Sequence, residues 1–154
     1  MKPMIQESAM LVRHLQPITT SRLTTADLDT ELRTAALLFA RQGVGLVIIC
    51  DGDGQAAGVL SKSDLVRHLA TSKSNEARVT ALMSKPIVSC TPDDHLHSVW
   101  QTMAERRLQN IPVLDRHAKP VGILDIRDAL KALLEQEEIQ EHMLTDYIAG
   151  VGYR

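Results

Sequence analysis

The sequence has very few aromatic residues: one Trp, one Phe and two Tyr, 3% of 154 residues. A core built from it is aliphatic, and the aromatic stacking platforms used by single-stranded nucleic-acid binders are missing. There is no surplus of positive charge. The 17 Lys and Arg face 19 Asp and Glu, for a net charge of −2, so no bulk basic surface attracts DNA or an anionic membrane. Cysteine is scarce. Cys50 and Cys90 stand apart, with no CxxC pair, and read as buried free thiols in a reducing compartment. No apolar run approaches the ~20 residues that a membrane helix needs. The opening MKPMIQESAM lacks the apolar stretch of a secretory signal. The expected location is cytoplasmic.

Catalytic signatures are also missing. No serine, cysteine or carboxylate pair is set against a base in a recognisable motif, so the chain is not expected to be an enzyme. The histidines at 14, 68, 95, 97, 117 and 142 are scattered. His95 and His97 would point to different faces of a helix, whereas a helical ligand pair is spaced by four. They read as surface residues, and no metal site or cofactor is expected. Asp51-Gly52-Asp53-Gly54 begins like a calcium loop, but the position that needs a final acid holds Lys62. Asp93-Asp94 reads as a solvated helix start.

What the chain does contain is an internal repeat. GVLSKSDL at Gly58–Leu65 returns 64 residues later as GILDIRDA at Gly122–Ala129. The offset holds without a gap beyond the motif: Leu32 matches Leu96, Asp51 matches Asp115, and Val47-Ile48-Ile49 matches Ile111-Pro112-Val113. The copies span Arg22 to Ala70 and Pro86 to Leu134, and such a repeat decides the architecture before any other feature. Two units of ~60 residues in a chain of one-domain length share one core.

Periodicity supplies the elements. Ile5 to Leu15 is a lead-in helix ended by Pro17, and Ile18 to Thr25 reads as a strand. Asp27 or Asp29 caps a helix with Leu32, Ala35, Ala36 and Phe39 on one face, closed by Gly43. Leu46–Cys50 and Ala57–Leu60 form a hairpin about the DGDG turn. Ser61 caps the next helix, to about Ala70. Polar residues 71–78 join the halves. The order then repeats: a short turn at Val79–Met83, a strand at Ile87–Cys90, and a helix capped by Thr91 with Pro92 in its first turn. This helix buries Leu96, Val99, Trp100 and Met103. A strand pair follows at Ile111–Leu114 and Val121–Leu124, then a helix from Asp125. The tail places Ile139, Met143, Leu144, Tyr147 and Ile148 on one face, as a docking helix.

This order, with a G-h-h-[ST]-x-x-D block closing each hairpin, resembles the cystathionine-β-synthase (CBS) domain, and two in tandem resemble a CBS pair, or Bateman module, of the small stand-alone bacterial kind. Met83, Pro86, Thr91-Pro92 and Ile111-Pro112-Val113-Leu114-Asp115 support the resemblance beside the two G…D blocks. The implied fold is α/β: two pseudo-symmetric β-α-β-β-α repeats with an N-terminal lead-in helix and a C-terminal docking helix. The expected division is a lead-in segment over 1–16, repeat one over 17–72, repeat two over 73–135 and a helical tail over 136–154.

The resemblance implies a cleft on each side of the pseudo-twofold, binding adenosine-type ligands such as AMP, ADP, ATP or S-adenosylmethionine. The sites are crossed. The motif aspartate of one repeat holds the ribose, the motif hydroxyl meets phosphate, and the base lies against the other repeat. Carried over residue by residue, site one combines Ser61 and Asp64 with Thr80, Ile87, Val88, Gln109 and Asn110. Lys62, Arg106 and Arg107 add charge there. Site two combines Asp125 and Asp128 with Gln16, Leu23, Thr24, Gly45 and Leu46. Site two departs from the pattern, because Asp125 stands where a serine or threonine is expected. It removes a donor and places negative charge beside any phosphate, which Arg127 offsets in part.

The implied role is a regulatory module that signals to an effector protein in trans. The alternative is a CBS-pair dimer that binds nothing and acts as an interaction scaffold. A homodimer is expected in either case, through the helices Asp29–Arg41 and Asp93–Leu108, which carry Leu37, Leu38 and Trp100.

Overall fold

A computed structural model describes residues 10–71 and 77–137. A 3₁₀ turn, Val12–Leu15, runs into helix α1 (Gln16–Ser21). Strand β1 (Thr25–Asp27), helix α2 (Leu32–Phe39), strands β2 (Leu46–Cys50) and β3 (Ala56–Ser61) and helix α3 (Lys62–Thr71) complete repeat one. A second 3₁₀ turn, Val79–Ala81, leads to helix α4 (Leu96–Arg106), strands β4 (Asn110–Leu114) and β5 (Pro120–Asp125), and helix α5 over 126–137. In repeat one, β1 pairs parallel and β3 antiparallel to the central β2. In repeat two, β4 pairs antiparallel with β5, and the first strand is reduced to a parallel bridge of Cys90 with Val113.

The 64-residue offset is kept in atomic detail. Ala26 faces Ile49 as Cys90 faces Val113. Both hairpins shift register at the same place, Ile49/Cys50 and Val113/Leu114. Asp51 Oδ1 accepts the amides of Asp53 and Gln55, and Asp115 Oδ1 accepts those of His117 and Lys119. The Lys119 and His117 amides hold the Asp115 carboxyl below its usual range, against a smaller desolvation effect. Among the described residues, the two non-glycine residues with left-handed backbone, Arg107 (φ 57°) and Ala118 (φ 62°), are the repeat equivalents of Gly43 (φ 83°) and Gly54 (φ 80°).

Among the described residues, the buried apolar side chains form three clusters. Val47, Ile49 and Leu60 pack with Leu32, Ala35, Phe39 and Leu65 in repeat one. Ile111, Val113 and Leu124 pack with Leu96, Val99 and Met103 in repeat two. The other face of β2 supplies Leu46 and Ile48, which meet Ile123 of β5 in a third cluster between the repeats. Because successive strand residues point to opposite faces, β2 has an apolar side chain on both and reads as an unbroken apolar run.

The lead-in segments are exchanged. Val12 and Leu15, which precede repeat one, are buried in the core of repeat two. Val79, which precedes repeat two, is buried in the core of repeat one. Matching backbone bonds fix them: Val12 donates to the Asp94 carbonyl, and Val79 to that of Thr30, each at 2.9 Å.

Several local expectations are corrected. Pro17 lies in the first turn of α1, where its missing N–H costs nothing, rather than ending a helix. Residues 18–21 belong to that helix and not to a strand, which begins only at Thr25. Neither Asp27 nor Asp29 caps α2, which starts at Leu32 after Glu31 and ends at Phe39, ahead of Gly43. Thr91 and Pro92 precede α4, because the Asp94 carboxylate accepts the Thr91 amide and closes a turn first. Cys50 is half-buried, whereas Cys90 is buried and its thiol is pushed up to about 12, chiefly by desolvation. The docking face Ile139–Ile148, and the part of Ile5–Leu15 before residue 10, lie outside the described residues.

Candidate functional site

The first motif sits where a strand turns into a helix. Ser61 ends β3 and Asp64 is in the first turn of α3. The Ser61 Oγ accepts the Asp64 amide at 3.1 Å, a helix cap as its residue type predicts. The Lys62 amide donates to the Gly45 carbonyl at 3.3 Å, tying the helix start to β2's leading loop. At the matching place in repeat two, Ile126 donates to Gln109. Asp64 is 28% exposed at the side chain and receives one weak contact, from Arg67 Nη1 at 3.3 Å.

Ser61 and Asp64 face a cavity of about 920 Å³. Val88, Gln109 and Asn110 of repeat two form its other wall, so both repeats line one cleft. Thr80 and Ile87 are not among the residues lining it, and Ser84 and Pro86 take that side. Gly45 and Leu46, grouped with the other motif in the sequence reading, line this cavity too. Lys62, Arg67 and Arg107 bring positive charge to it, and Arg106 does not. Arg67 and Pro86 line it without having been expected as site residues. Pro86 was visible as the repeat equivalent of Arg22, a comparison that gains meaning only once both positions border a cleft.

The second motif is built differently. Asp125 is 1% exposed. Its Oδ1 accepts the Arg127 amide at 2.8 Å, capping α5, and the Arg127 guanidinium clasps both carboxylate oxygens, Nε at 3.1 Å and Nη2 at 2.8 Å. Burial opposes the charge of Asp125, but the Arg127 hydrogen bonds outweigh it and hold the carboxyl below its usual range. Asp128 is taken by Arg22, through Nε at 2.5 Å and Nη2 at 3.3 Å. The same hydrogen bond raises the guanidinium's pKa. Thus two carboxylates and two guanidiniums neutralise one another.

The remaining site-two residues disperse. Gly45, Asp125 and Arg127 line an adjoining cavity of about 420 Å³. Gln16, Leu23, Thr24 and Asp128 do not line it. Leu23 packs into the cluster between the repeats, and the Thr24 hydroxyl donates to the Arg22 carbonyl at 3.2 Å.

Among the described residues, no group of His, Cys, Asp and Glu is arranged to hold a metal ion. Among the same residues no helix is long and apolar enough to cross a membrane.

A family model described as CBS domain matches residues 12–71 and 79–135. The uncharacterised protein YlbB of Bacillus subtilis is 32% identical over 113 residues, covering 69% of this chain and 76% of that protein. An uncharacterised 17.7 kDa protein of Acidianus ambivalens is 22% identical over 135 residues, covering 88% of this chain and 82% of its own. Other curated relatives are longer, and the chain spans 50%, 19% and 35% of three of them. Among solved structures, the CBS domain pair of protein MJ0100, in complex with 5′-methylthioadenosine and S-adenosyl-L-methionine, aligns with a TM-score of 0.71 at 19% identity, over 84% of this chain and 98% of that one.

Proposed function

Because the chain belongs to the CBS-domain family, matched in both repeats, we propose that it is a regulatory module whose first cleft takes an adenosine-type ligand. The observation that carries this is the crossed cleft. Ser61 and Asp64 of repeat one stand across a cavity of about 920 Å³ from Gln109 and Asn110 of repeat two, a volume in the range of small-molecule sites. An aspartate with one weak contact suits a vicinal diol, whose two hydroxyls donate to a carboxylate. Gln109 and Asn110 offer amide donors and acceptors to a base, and Val88 and Leu46 offer apolar surface. The MJ0100 pair shares the fold and was solved with adenosyl compounds, which supports the ligand class.

A ligand that touches both repeats couples them, and that coupling is the regulatory output of the module. The signal passes to an effector protein in trans, from a cytoplasmic homodimer. A thermal-shift screen with AMP, ATP, 5′-methylthioadenosine and S-adenosylmethionine tests the proposal, since a ligand of the native state raises the melting temperature by mass action. A shift with at least one is expected. No shift with any, at millimolar ligand, leaves the ligand-independent scaffold as the function. Affinity capture with and without the active nucleotide then identifies the effector.

A further inference from the structure

Cations outnumber carboxylates around both cavities. Cavity one is bordered by three cations, Lys62, Arg67 and Arg107, and by one carboxylate, Asp64. The adjoining cavity shares Gly45, Lys62, Gln109 and Asn110 with it and adds Arg41, Asp125 and Arg127. Two of these cations are already matched, Arg67 by Asp64 and Arg127 by Asp125. Among the described residues Lys62, Arg107 and Arg41 have no ion-pair partner. Lys62 lines both cavities, so cleft one is bordered by two unpaired cations, Lys62 and Arg107, and the adjoining cavity by Lys62 and Arg41.

Arg107 has an unusual backbone for its residue type. It caps α4 with φ 57° and ψ 42°, the left-handed conformation. Its repeat equivalent is Gly43, at φ 83°, and glycine is the residue that adopts this conformation freely. Residues held in such regions concentrate at functional sites. An arginine therefore stands where glycine would be favoured, and it borders cleft one.

We infer that cleft one selects an adenine nucleotide bearing a polyphosphate chain, a nucleoside di- or triphosphate, and discriminates against a sulfonium such as S-adenosylmethionine, with Arg107 and Lys62 as the specificity-determining residues. The inference rests on the reading of cleft one as an adenosyl site. The phosphate chain runs from Ser61 past Lys62 toward the adjoining cavity. A cationic sulfonium at the same place meets two uncompensated positive charges.

Calorimetric titrations in EDTA compare ATP, AMP, 5′-methylthioadenosine and S-adenosylmethionine on the wild type, Arg107→Gly and Lys62→Gln. Affinity is expected to fall in the order ATP, AMP, methylthioadenosine, S-adenosylmethionine, and the ATP affinity to fall steeply with salt. Each substitution weakens ATP by roughly tenfold or more, as the loss of a charge-assisted hydrogen bond requires, and leaves methylthioadenosine within about twofold. Arg107→Gly also raises the melting temperature of the free protein, which separates lost binding from lost folding. If methylthioadenosine or S-adenosylmethionine binds as tightly as ATP, or if both variants bind ATP like the wild type, the inference is overturned and the adenosyl site stands. If none of the four binds, the adenosyl site itself is overturned, and this inference with it.

Discussion

Arg22 holds the carboxylate of Asp128 across the pseudo-twofold, with Nε at 2.5 Å and Nη2 at 3.3 Å. Exchanging the two repeats by the 64-residue offset turns this pair into Pro86 and Asp64, which border cleft one without bonding. One substitution in the repeat, proline for arginine, therefore separates an aspartate that is nearly free from one already committed. The arginine also donates from Nη1 to the Gly43 carbonyl at 3.3 Å, so it fastens the start of repeat one to the last helix of repeat two.

That fastening predicts a stability effect. With side chains 25% and 19% exposed, the pair is half-buried. Asp128→Ala leaves a guanidinium without its main partner and is expected to cost about 1–2 kcal/mol, between the exposed and buried limits. Arg22→Ala is expected to cost a similar amount, and the double variant little more than either. Urea unfolding of the three proteins measures the coupling. Additive losses would show that the two residues act independently.

Asp125 predicts a pH dependence. Although burial pushes its carboxyl up, Arg127 holds it below its ordinary value of 3.8. A folded-state value lower than the unfolded one means that the charged carboxylate stabilises the fold above pH 3.8, and that this contribution is lost as pH falls through the lower, folded-state value. Asp125→Asn keeps an acceptor for the Arg127 amide and removes the titration. The variant is expected to be less stable than the wild type at pH 7, with the gap narrowing toward pH 3. A gap of constant size in denaturant midpoints across that range would contradict the assignment.

The two motif glycines are unequal. A Cβ placed on Gly122 falls 2.9 Å from the Thr19 carbonyl oxygen, which is backbone of α1. A Cβ on Gly58 falls 2.7 Å from the Met83 sulfur and 2.9 Å from its Cγ, side-chain atoms that can shift where a helix carbonyl cannot. Gly122→Ala is therefore expected to cost about 1–3 kcal/mol, as overpacking does, and Gly58→Ala distinctly less. Melting curves of the two variants give the order directly.

Of the apolar residues proposed for a homodimer, Leu38 and Trp100 are half-buried against their own cores. Leu37 is left 69% exposed on α2. Sedimentation at micromolar concentration is expected to give a dimer, and Leu37→Glu to shift it toward the 17.0 kDa chain. A monomeric wild type would remove the claim.

Much of this was legible in the sequence because the repeat doubles every signal. The hairpins, the Ser61 cap and the aliphatic core follow from periodicity and a 64-residue offset. The crossing of Ser61 and Asp64 with Gln109 and Asn110 followed only from the family resemblance. Local chemistry misled at the lead-in. Pro17 fits both the end and the first turn of a helix, and the β-branched Ile18, Thr19 and Thr20 favour a strand until α1 packs Thr19 against Gly122. The Arg22–Asp128 pair was not legible at all. Its residues lie 106 positions apart, and nothing local to either announces the other.

The central claim, that one cleft per chain is open to a nucleotide, is tested most directly by calorimetric titration of ATP into the wild type, Asp64→Ala and Asp128→Ala. The account predicts one equivalent per chain for the wild type, a loss of about 1.5–3 kcal/mol in Asp64→Ala, and unchanged affinity and stoichiometry in Asp128→Ala. Two equivalents of similar affinity in the wild type, or binding abolished by Asp128→Ala and spared by Asp64→Ala, would contradict it.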